Sequence, residues 1–179
     1  MKILVIESSP HKHGSSNLLA GEFIRGAQEA GHAVTVFDAG HADLHPCLGC
    51  GACGMAGPCV QKDDMAALRE QLLACDMAAF VTPLYYFGFS AQLKTVIDRF
   101  YSFNGQLTAK GLKTALIAAA WDSNDWTMRD IKAHYETLCS YLNFQNQGEI
   151  LGVGCGTVQM TKHTRFPQEA YLLGKQIGG

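Results

Sequence analysis

Residues 2–17 read Lys2-Ile-Leu-Val-Ile-Glu-Ser-Ser-Pro-His-Lys-His-Gly-Ser-Ser-Asn17, an apolar run that leads into a polar loop. Residues Lys2–Glu7 predict a buried strand, and helix signals run from about Ser16 until Gly31 stops them. A strand, loop and helix in this order leave free backbone N–H groups at a helix N-terminus, where a phosphate binds readily. The loop lacks both the Walker pattern and the dinucleotide-binding fingerprint. A helix with an ordinary polar lead-in is the alternative interpretation.

The rest of the chain alternates between strand and helix signals. Further strands are predicted at Ala33–Phe37, Met77–Thr82, Lys113–Ala120 and Ile150–Gly154. Further helices are predicted from a cap at Asp63 or Asp64 to about Cys75, from a cap at Ser90, over roughly Trp126–Leu142, and from Pro167 onward. Five strands alternating with five helices predict an α/β protein with right-handed crossovers and a parallel sheet covered on both faces. The length of 179 residues predicts a single domain over residues 1–179.

Composition narrows the range of partners. The net charge is −2 and no basic run is present, which argues against a nucleic-acid partner. The longest uncharged apolar stretch, Thr114–Trp121, is far too short to span a membrane, so no membrane partner is expected. An odd count of seven cysteines without a secretory signal before them favours a reducing compartment, and we expect a cytoplasmic location.

Four cysteines crowd one loop with the spacing C-x2-C-x2-C-x5-C: Cys47, Cys50, Cys53 and Cys59. A thiolate is a nucleophile, a metal ligand and a redox group, so this density indicates redox or metal chemistry. The spacing is close to a ferredoxin run, with a last gap of five rather than three and no following proline. Zinc sites usually split their ligands into two separated pairs. An iron–sulfur cluster, unligated thiols and zinc all stay open. The other cysteines lie in apolar segments and are predicted to be ordinary core residues: Cys75, Cys139 and Cys155.

Two more loops follow the third and fourth predicted strands. The segment Pro83–Gly88 holds three consecutive aromatic residues between a proline and a glycine, which suggests a flat ligand packing there. Packing of these aromatics into the core is the alternative. After the fourth strand, the small residues Ala118–Ala120 permit close approach of a ligand, and Trp121 could close over it. Ligands of parallel sheets bind beyond the carboxyl ends of the strands.

Several motifs occur in one order along the chain: Ser9-Pro10-x3-Gly14-x-Ser16, the cysteine run to Cys59, Asp63-Asp64-Met65, Pro83-Leu84-Tyr85-Tyr86, and Leu93-Lys94-x2-Ile97-Asp98-Arg99. With them the chain resembles the flavodoxin-like NAD(P)H-dependent FMN reductases, including their iron–sulfur flavoprotein branch, over essentially its whole length. The resemblance implies a three-layer sandwich whose five-stranded parallel sheet has the order 2-1-3-4-5.

The resemblance also implies site residues and cofactors. The phosphate of FMN would be held by Ser9, His11, Ser15, Ser16 and Asn17. The isoalloxazine would lie beside Pro83, Leu84, Tyr85, Tyr86, Phe87 and Gly88, with Trp121 on its far side. A [4Fe-4S] cluster would use Cys47, Cys50, Cys53 and Cys59. Asp98 and Arg99 would be structural or interfacial. His11 stands where the family often has arginine, and Glu7 is a poor neighbour for a phosphate unless it points away or pairs with Lys12.

The implied function is an FMN-dependent oxidoreductase that takes electrons from NAD(P)H and passes them to an unidentified acceptor. The flavin carries the chemistry, so no catalytic acid or base is expected from the protein. A homodimer or homotetramer is implied by the resemblance alone. One rival is a non-enzymatic electron carrier of the flavodoxin type, although the charge of −2 gives little steering of partners. A metal-sensing or scaffold protein without flavin is a second rival, against which Ser9, Ser15 and Ser16 argue.

Overall fold

The computed structural model describes residues 1–178, which contain five strands, seven α-helices and one 3-10 helix. The strands are β1 (Lys2–Glu7), β2 (Ala33–Asp38), β3 (Met77–Pro83), β4 (Lys113–Ala119) and β5 (Gln145–Gly152). The helices are α1 (Ser15–Glu29), α2 (Met65–Ala74), α3 (Ala91–Arg99), α4 (Asn104–Lys110), α5 (Arg129–Leu142), α6 (Val158–Lys162) and α7 (Phe166–Gln176), and the 3-10 helix is Phe100–Phe103.

The strands form one parallel sheet in the order β2-β1-β3-β4-β5, which confirms the predicted order. Successive side chains of a strand point to opposite faces. Ile3 and Val5 therefore join a core cluster with residues of α1 and α7, whereas Leu4 and Ile6 join a second cluster with α2, α3 and α5. The apolar run of β1 is thus buried on both faces, and the predicted three layers are confirmed.

The order of the strands fixes where a ligand can enter. β1 pairs with β2 on one side and with β3 on the other. The connection from β1 to β2 and the connection from β2 to β3 therefore run in opposite directions across the sheet, and they separate at the carboxyl end of β1. Such a topological switch point opens a crevice outside the sheet. The carboxyl ends of β3 and β4 lie next to it, since Pro83 pairs with Ala119. The loops after β1, β3 and β4 therefore meet at one edge, as expected.

The first and last helices pack closely through two glycines. A Cβ atom on Gly26 of α1 would collide with the carbonyl of Tyr171, and one on Gly174 of α7 would collide with the carbonyl of Phe23. The two backbones are therefore in direct contact, and side chains at these positions would push the helices apart. This contact fixes α1, whose N-terminus belongs to the crevice.

The structure corrects the predicted elements in several places. β5 begins at Gln145 rather than Ile150, because an edge strand tolerates the polar segment that precedes the apolar one. α4 and α6, with seven and five residues, were not predicted, since each buries one residue and shows no usable periodicity. The long helix begins at Arg129 rather than near Trp126. The predicted cap at Ser90 is confirmed, because its Oγ accepts from the N–H of Leu93.

No helix within residues 1–178 is both long and apolar enough to cross a membrane. The single domain over residues 1–179 stays a prediction, and Gly179 lies outside the described residues.

Candidate functional site

A cleft of about 870 Å³ lies at the carboxyl edge of the sheet, within the size range typical of small-molecule sites. Four loops form its wall: Ser9, Pro10, His11, Lys12, His13, Gly14, Ser15 and Ser16 after β1, Pro83, Leu84 and Tyr85 after β3, Ala119 and Trp121 at the end of β4, and Cys155 and Gly156 after β5. The structure thus brings together eight of the twelve residues predicted to hold a cofactor. The other four, Asn17, Tyr86, Phe87 and Gly88, are not part of this wall.

One end of the cleft is the N-terminus of α1. Gly14 is the N-cap residue, and within residues 1–178 no side chain caps this helix. The first backbone N–H groups of a helix have no intrahelical acceptor, so those of Ser15 and Ser16 are available to a ligand that carries acceptor oxygens. The loop before them is already shaped, because Gly14 N–H donates to the His11 carbonyl over 2.9 Å. The Ser9 hydroxyl also bonds both the N–H and the carbonyl of His11.

A buried hydroxyl network ties this loop to the loop after β3. The Ser8 hydroxyl donates to the Val81 carbonyl over 2.7 Å, and the Ser90 hydroxyl lies 2.9 Å from the Ser8 hydroxyl. Thr82 Oγ1 accepts from the Ser90 N–H over 3.0 Å. The three hydroxyl residues are fully buried. These hydroxyl residues hold the two loops together and do not line the cleft. Their role could not be predicted from local sequence, because the partners are far apart along the chain.

The charge of Glu7 is accommodated by Asn17 and not by Lys12. Asn17 Nδ2 donates to Glu7 Oε2 over 3.1 Å and to the Lys12 carbonyl over 3.2 Å. Burial, with a contribution from Asp38, raises the pKa of Glu7. Both amide hydrogens of Asn17 thus have acceptors within the protein. Its predicted contact with phosphate stays a prediction, and in this structure its amide supports the loop.

The aromatic loop splits into a cleft-facing part and an exposed tip. Pro83, Leu84 and Tyr85 line the cleft, whereas Tyr86 is 99% exposed. Tyr85 and Gly88 exchange backbone hydrogen bonds around a tight turn, in which Tyr86 and Phe87 have φ of 45° and 64°. Positive φ is unfavourable for such bulky residues, so this tip stores backbone strain. Phe87 packs on Trp126 with ring centroids 5.2 Å apart.

The opposite wall is made by Trp121 and the segment after β5. Trp121 lines the cleft but is 70% exposed, and its indole lies directly over Gly156, where a Cβ atom would collide with the ring. Cys155 also lines the cleft, and burial raises the pKa of its thiol, which disfavours the reactive thiolate form. The sequence analysis missed Cys155 and Gly156, although the position of Gly154-Cys155-Gly156 just beyond a parallel strand was a usable signal.

The four clustered cysteines line a second, much smaller pocket of about 30 Å³, between their loop and the C-terminal end of α3. All four are free thiols, and Cys47 and Cys50 are exposed. The loop turns tightly at Gly49, Gly51, Gly54 and Met55, all with positive φ. Within residues 1–178, no group of three or more Cys, His, Asp or Glu side chains is arranged to hold a metal ion. Four free thiols are suitable donors for a thiolate-ligated group, but in this structure the sulfurs of the four cysteines do not converge on one point.

A buried ion pair fixes the chain beside this pocket. The Arg99 side chain at the end of α3 is 2% exposed and that of Asp63, before α2, is 1% exposed. Arg99 Nη1 donates to Asp63 Oδ2 over 2.7 Å and Nη2 donates to Asp63 Oδ1 over 3.0 Å, a bidentate geometry. Arg99 Nη1 also donates to the His45 carbonyl over 2.8 Å. Arg99 thus holds both ends of the cysteine loop, at His45 and at Asp63, against the end of α3.

The parallel sheet in this order, with a cleft at the switch point beside β1, defines a flavodoxin-like fold. Residues 1–145 match the model of the NADPH-dependent FMN reductase family. The chain belongs to this family.

Comparisons with individual proteins agree with the family. An iron–sulfur flavoprotein of Archaeoglobus fulgidus is 32% identical over 111 residues, which are 62% of this chain and 50% of that protein. A putative NAD(P)H-dependent FMN-containing oxidoreductase of Bacillus subtilis is 28% identical over 174 residues, and the match covers 86% of this chain and 86% of that protein. The chain spans about half the length of the first curated relatives it matches.

Among solved structures, an NAD(P)H:quinone oxidoreductase from Methanothermobacter marburgensis has the same fold, with a TM-score of 0.81, 16% identity, and coverage of 100% of this chain and 96% of that one. An FMN-dependent NADH-azoreductase of Bacillus anthracis, solved in complex with FMN, gives a TM-score of 0.72 at 11% identity, with 99% of each chain covered.

Proposed function

We propose that this protein is an FMN-dependent NAD(P)H oxidoreductase that passes electrons from a nicotinamide through bound flavin to an acceptor. The observation that carries the proposal is the cleft at the switch point, with an uncapped helix N-terminus at one end and Pro83, Leu84 and Tyr85 beside it. A phosphate at one end and a planar ring at the other match these two halves. The residues present therefore fit FMN.

The phosphate end is proposed to work through backbone groups. N–H groups of Ser15 and Ser16 would donate to the phosphate oxygens together with the Ser16 hydroxyl, and the positive end of the α1 dipole favours the negative charge. The Ser9 hydroxyl would have to turn away from the His11 carbonyl to join them. The exposed imidazole of His11 lies in the same part of the cleft wall and is available to the phosphate as a hydrogen-bond donor. Asn17 keeps the carboxylate of Glu7 engaged away from the ligand.

The ring end is proposed to hold the isoalloxazine against the loop after β3, with Trp121 opposite. Bound FMN supplies hydride acceptance from NAD(P)H and transfer of one or two electrons onward. The protein positions the ring and leaves one side open for the nicotinamide. Trp121 is well exposed and flanks that opening. We propose a homodimer or homotetramer in which the exposed tip at Tyr86 and Phe87 would contact a second copy of the chain. We also propose that the protein functions in the cytoplasm.

The cysteine loop is proposed to carry a [4Fe-4S] cluster on Cys47, Cys50, Cys53 and Cys59. Their spacing and the names of the curated iron–sulfur relatives support it. The loop would have to close to bring the sulfurs together, and its four positive-φ residues mark where it is already tightly turned. A non-enzymatic electron carrier with the same cofactors is the second candidate, and NADPH oxidation with ferricyanide as acceptor separates the two.

The first expected result is that the protein binds FMN non-covalently. Heating the yellow protein should release a fluorescent supernatant with the FMN spectrum, because the cleft offers hydrogen bonds and packing and no covalent attachment is required. A preparation that is colourless and stays colourless after incubation with FMN would contradict the proposed function.

Replacement of Cys50 by serine tests the cluster. Anaerobically reconstituted wild-type protein should contain about four iron and four sulfide per chain, and Cys50→Ser should lose both while it retains FMN. Cys75→Ser is the matched control, because Cys75 is buried in the core and outside the cysteine pocket. Iron and sulfide assays with flavin quantification provide the measurement. A wild-type protein that takes up no iron would leave the thiols unligated and the cluster proposal wrong.

A further inference from the structure

Arg99 shares the small pocket with all four clustered cysteines. The pocket wall is made by the cysteine loop together with Asp98, Arg99, Tyr101 and Ser102, and among residues 1–178 Arg99 is the single cationic residue in it. Asp98 is on the same wall but forms an exposed ion pair with Lys94. A buried guanidinium therefore borders the place where the thiol groups would gather.

One donor of Arg99 has no acceptor within residues 1–178. Its two terminal nitrogens bond Asp63 and the His45 carbonyl, whereas Nε is buried and lacks a hydrogen-bond partner among residues 1–178. A buried donor without a partner costs about 1–3 kcal/mol, and more for a charged group, so such a donor calls for an explanation. Arg69 Nε also lacks a partner in the described part of the chain, but its guanidinium lies over the Phe103 ring and outside the cysteine pocket.

The ion pair with Asp63 does not explain why the Nε of Arg99 is left without an acceptor among residues 1–178. The carboxylate occupies the edge of the guanidinium that carries Nη1 and Nη2, and it leaves the Nε side without an acceptor. Burial by itself lowers the pKa of Arg99, but the hydrogen bonds to Asp63 and the charge of its carboxylate raise that pKa above its usual value. The guanidinium, oriented by Asp63, is therefore a permanent cation on the pocket wall that it shares with Cys47 and Cys59.

We propose that Arg99 is a positioning residue of the cysteine pocket: its Nε–H donates a hydrogen bond to a sulfur of the thiolate-ligated cluster, and its charge stabilises the cluster's negative charge. The inference rests on the proposed cluster. Hydrogen bonds to sulfur and local charge are known determinants of cluster potentials. Asp63 would hold the guanidinium as an outer-shell partner that orients the donor.

The proposal predicts a direction for the reduction potential. One-electron reduction adds one negative charge to the cluster, and no bond to Arg99 is made or broken. In the experiment, dithionite supplies the electron. A cation beside the cluster favours the reduced form, so its removal lowers the potential. Removal of the Asp63 charge leaves the cation uncompensated and raises the potential.

Two variants distinguish this role from a merely structural one. Arg99→Gln and Asp63→Asn both break the same ion pair, but only Arg99→Gln removes the cation. After anaerobic reconstitution with iron and sulfide, a redox titration followed by electron paramagnetic resonance should give a lower potential for Arg99→Gln and a higher one for Asp63→Asn. Arg99→Gln should also lose iron to bathophenanthroline roughly 10-fold faster than the wild type, because loss of a residue that supports the ligands weakens metal affinity by about 10-fold or more.

Shifts of the same sign in both variants, or no shift in Arg99→Gln, would overturn the role of Arg99. If the single variants do not fold, the double variant Asp63→Asn/Arg99→Gln leaves no buried charge unpaired, and its potential must still lie below that of the wild type. Failure of the wild-type protein to take up iron overturns the cluster and this inference together. Failure to bind FMN separately overturns the oxidoreductase function.

Discussion

Replacement of Ser16 by aspartate is expected to weaken FMN binding by about 100- to 1000-fold, roughly 3–4 kcal/mol for two like charges about 4 Å apart near a protein surface. Ser16 is the second residue of α1, its side chain is buried in the cleft wall, and its backbone N–H is free for a ligand. A carboxylate there would meet the phosphate. Titration of the apoprotein with FMN, followed by quenching of flavin fluorescence, measures the affinity.

The same change should weaken folding far less than it weakens binding, because an aspartate near a helix N-terminus interacts favourably with the helix dipole. Ser140→Asp is the matched control: it adds the same charge to an exposed position of α5, remote from the cleft, and should bind FMN like the wild type. Unchanged affinity in Ser16→Asp would show that the phosphate does not bind at this helix.

Replacement of Asp63 by asparagine is expected to lower the free energy of unfolding at pH 7 by roughly 3–5 kcal/mol, because it leaves the guanidinium of Arg99 buried without its counter-charge. Urea denaturation of both proteins measures the difference. Asp98→Asn is the matched control at the neighbouring position on α3. Asp98 forms an exposed pair with Lys94, so its loss should cost no more than about 0.5 kcal/mol. Equal losses would contradict the structural role of the buried pair.

The stability provided by Asp63 should depend on pH. Burial by itself would raise the pKa of Asp63, but hydrogen bonds from Arg99 and from the His45 N–H outweigh it and hold the pKa at about 2, below the usual 3.8. A depressed pKa in the folded protein gives stability that is complete above the ordinary value of 3.8 and is lost as pH falls through about 2. This contribution is about 2 kcal/mol. The difference between wild type and Asp63→Asn should therefore shrink between pH 4 and pH 2.

Prediction from sequence was most accurate where one local signal decides the structure. The apolar run of β1 and the capping residue Ser90 lie where they were predicted, since each depends on neighbours in sequence. Prediction was less accurate for β5, whose polar first half becomes a strand only because β4 supplies hydrogen-bond partners. It also left out Cys155 and Gly156, which reach the cleft because β5 lies beside β4.

The contacts of the aromatic loop after β3 could also be predicted only in part from the sequence. Six residues after β3 were predicted to lie beside the flavin, and the structure brings Pro83, Leu84 and Tyr85 to the cleft wall. The turn at Tyr86 and Phe87 carries these two side chains off the wall, because positive φ at both positions reverses the chain. Nothing in the order of three aromatic residues predicts such a turn, which glycine or asparagine would normally form.

The α/β class, the order of elements and the family resemblance could all be predicted from sequence, because hydrophobic periodicity and motif order are properties of the chain alone. The tertiary structure decided how distant side chains combine. It joins Ser8 to Ser90, engages Glu7 with Asn17 rather than Lys12, and buries Arg99 against Asp63 beside the cysteines. These contacts link residues from separate loops and helices. They exist only after the sheet order has set which loops meet, and that order depends on packing between elements far apart in sequence.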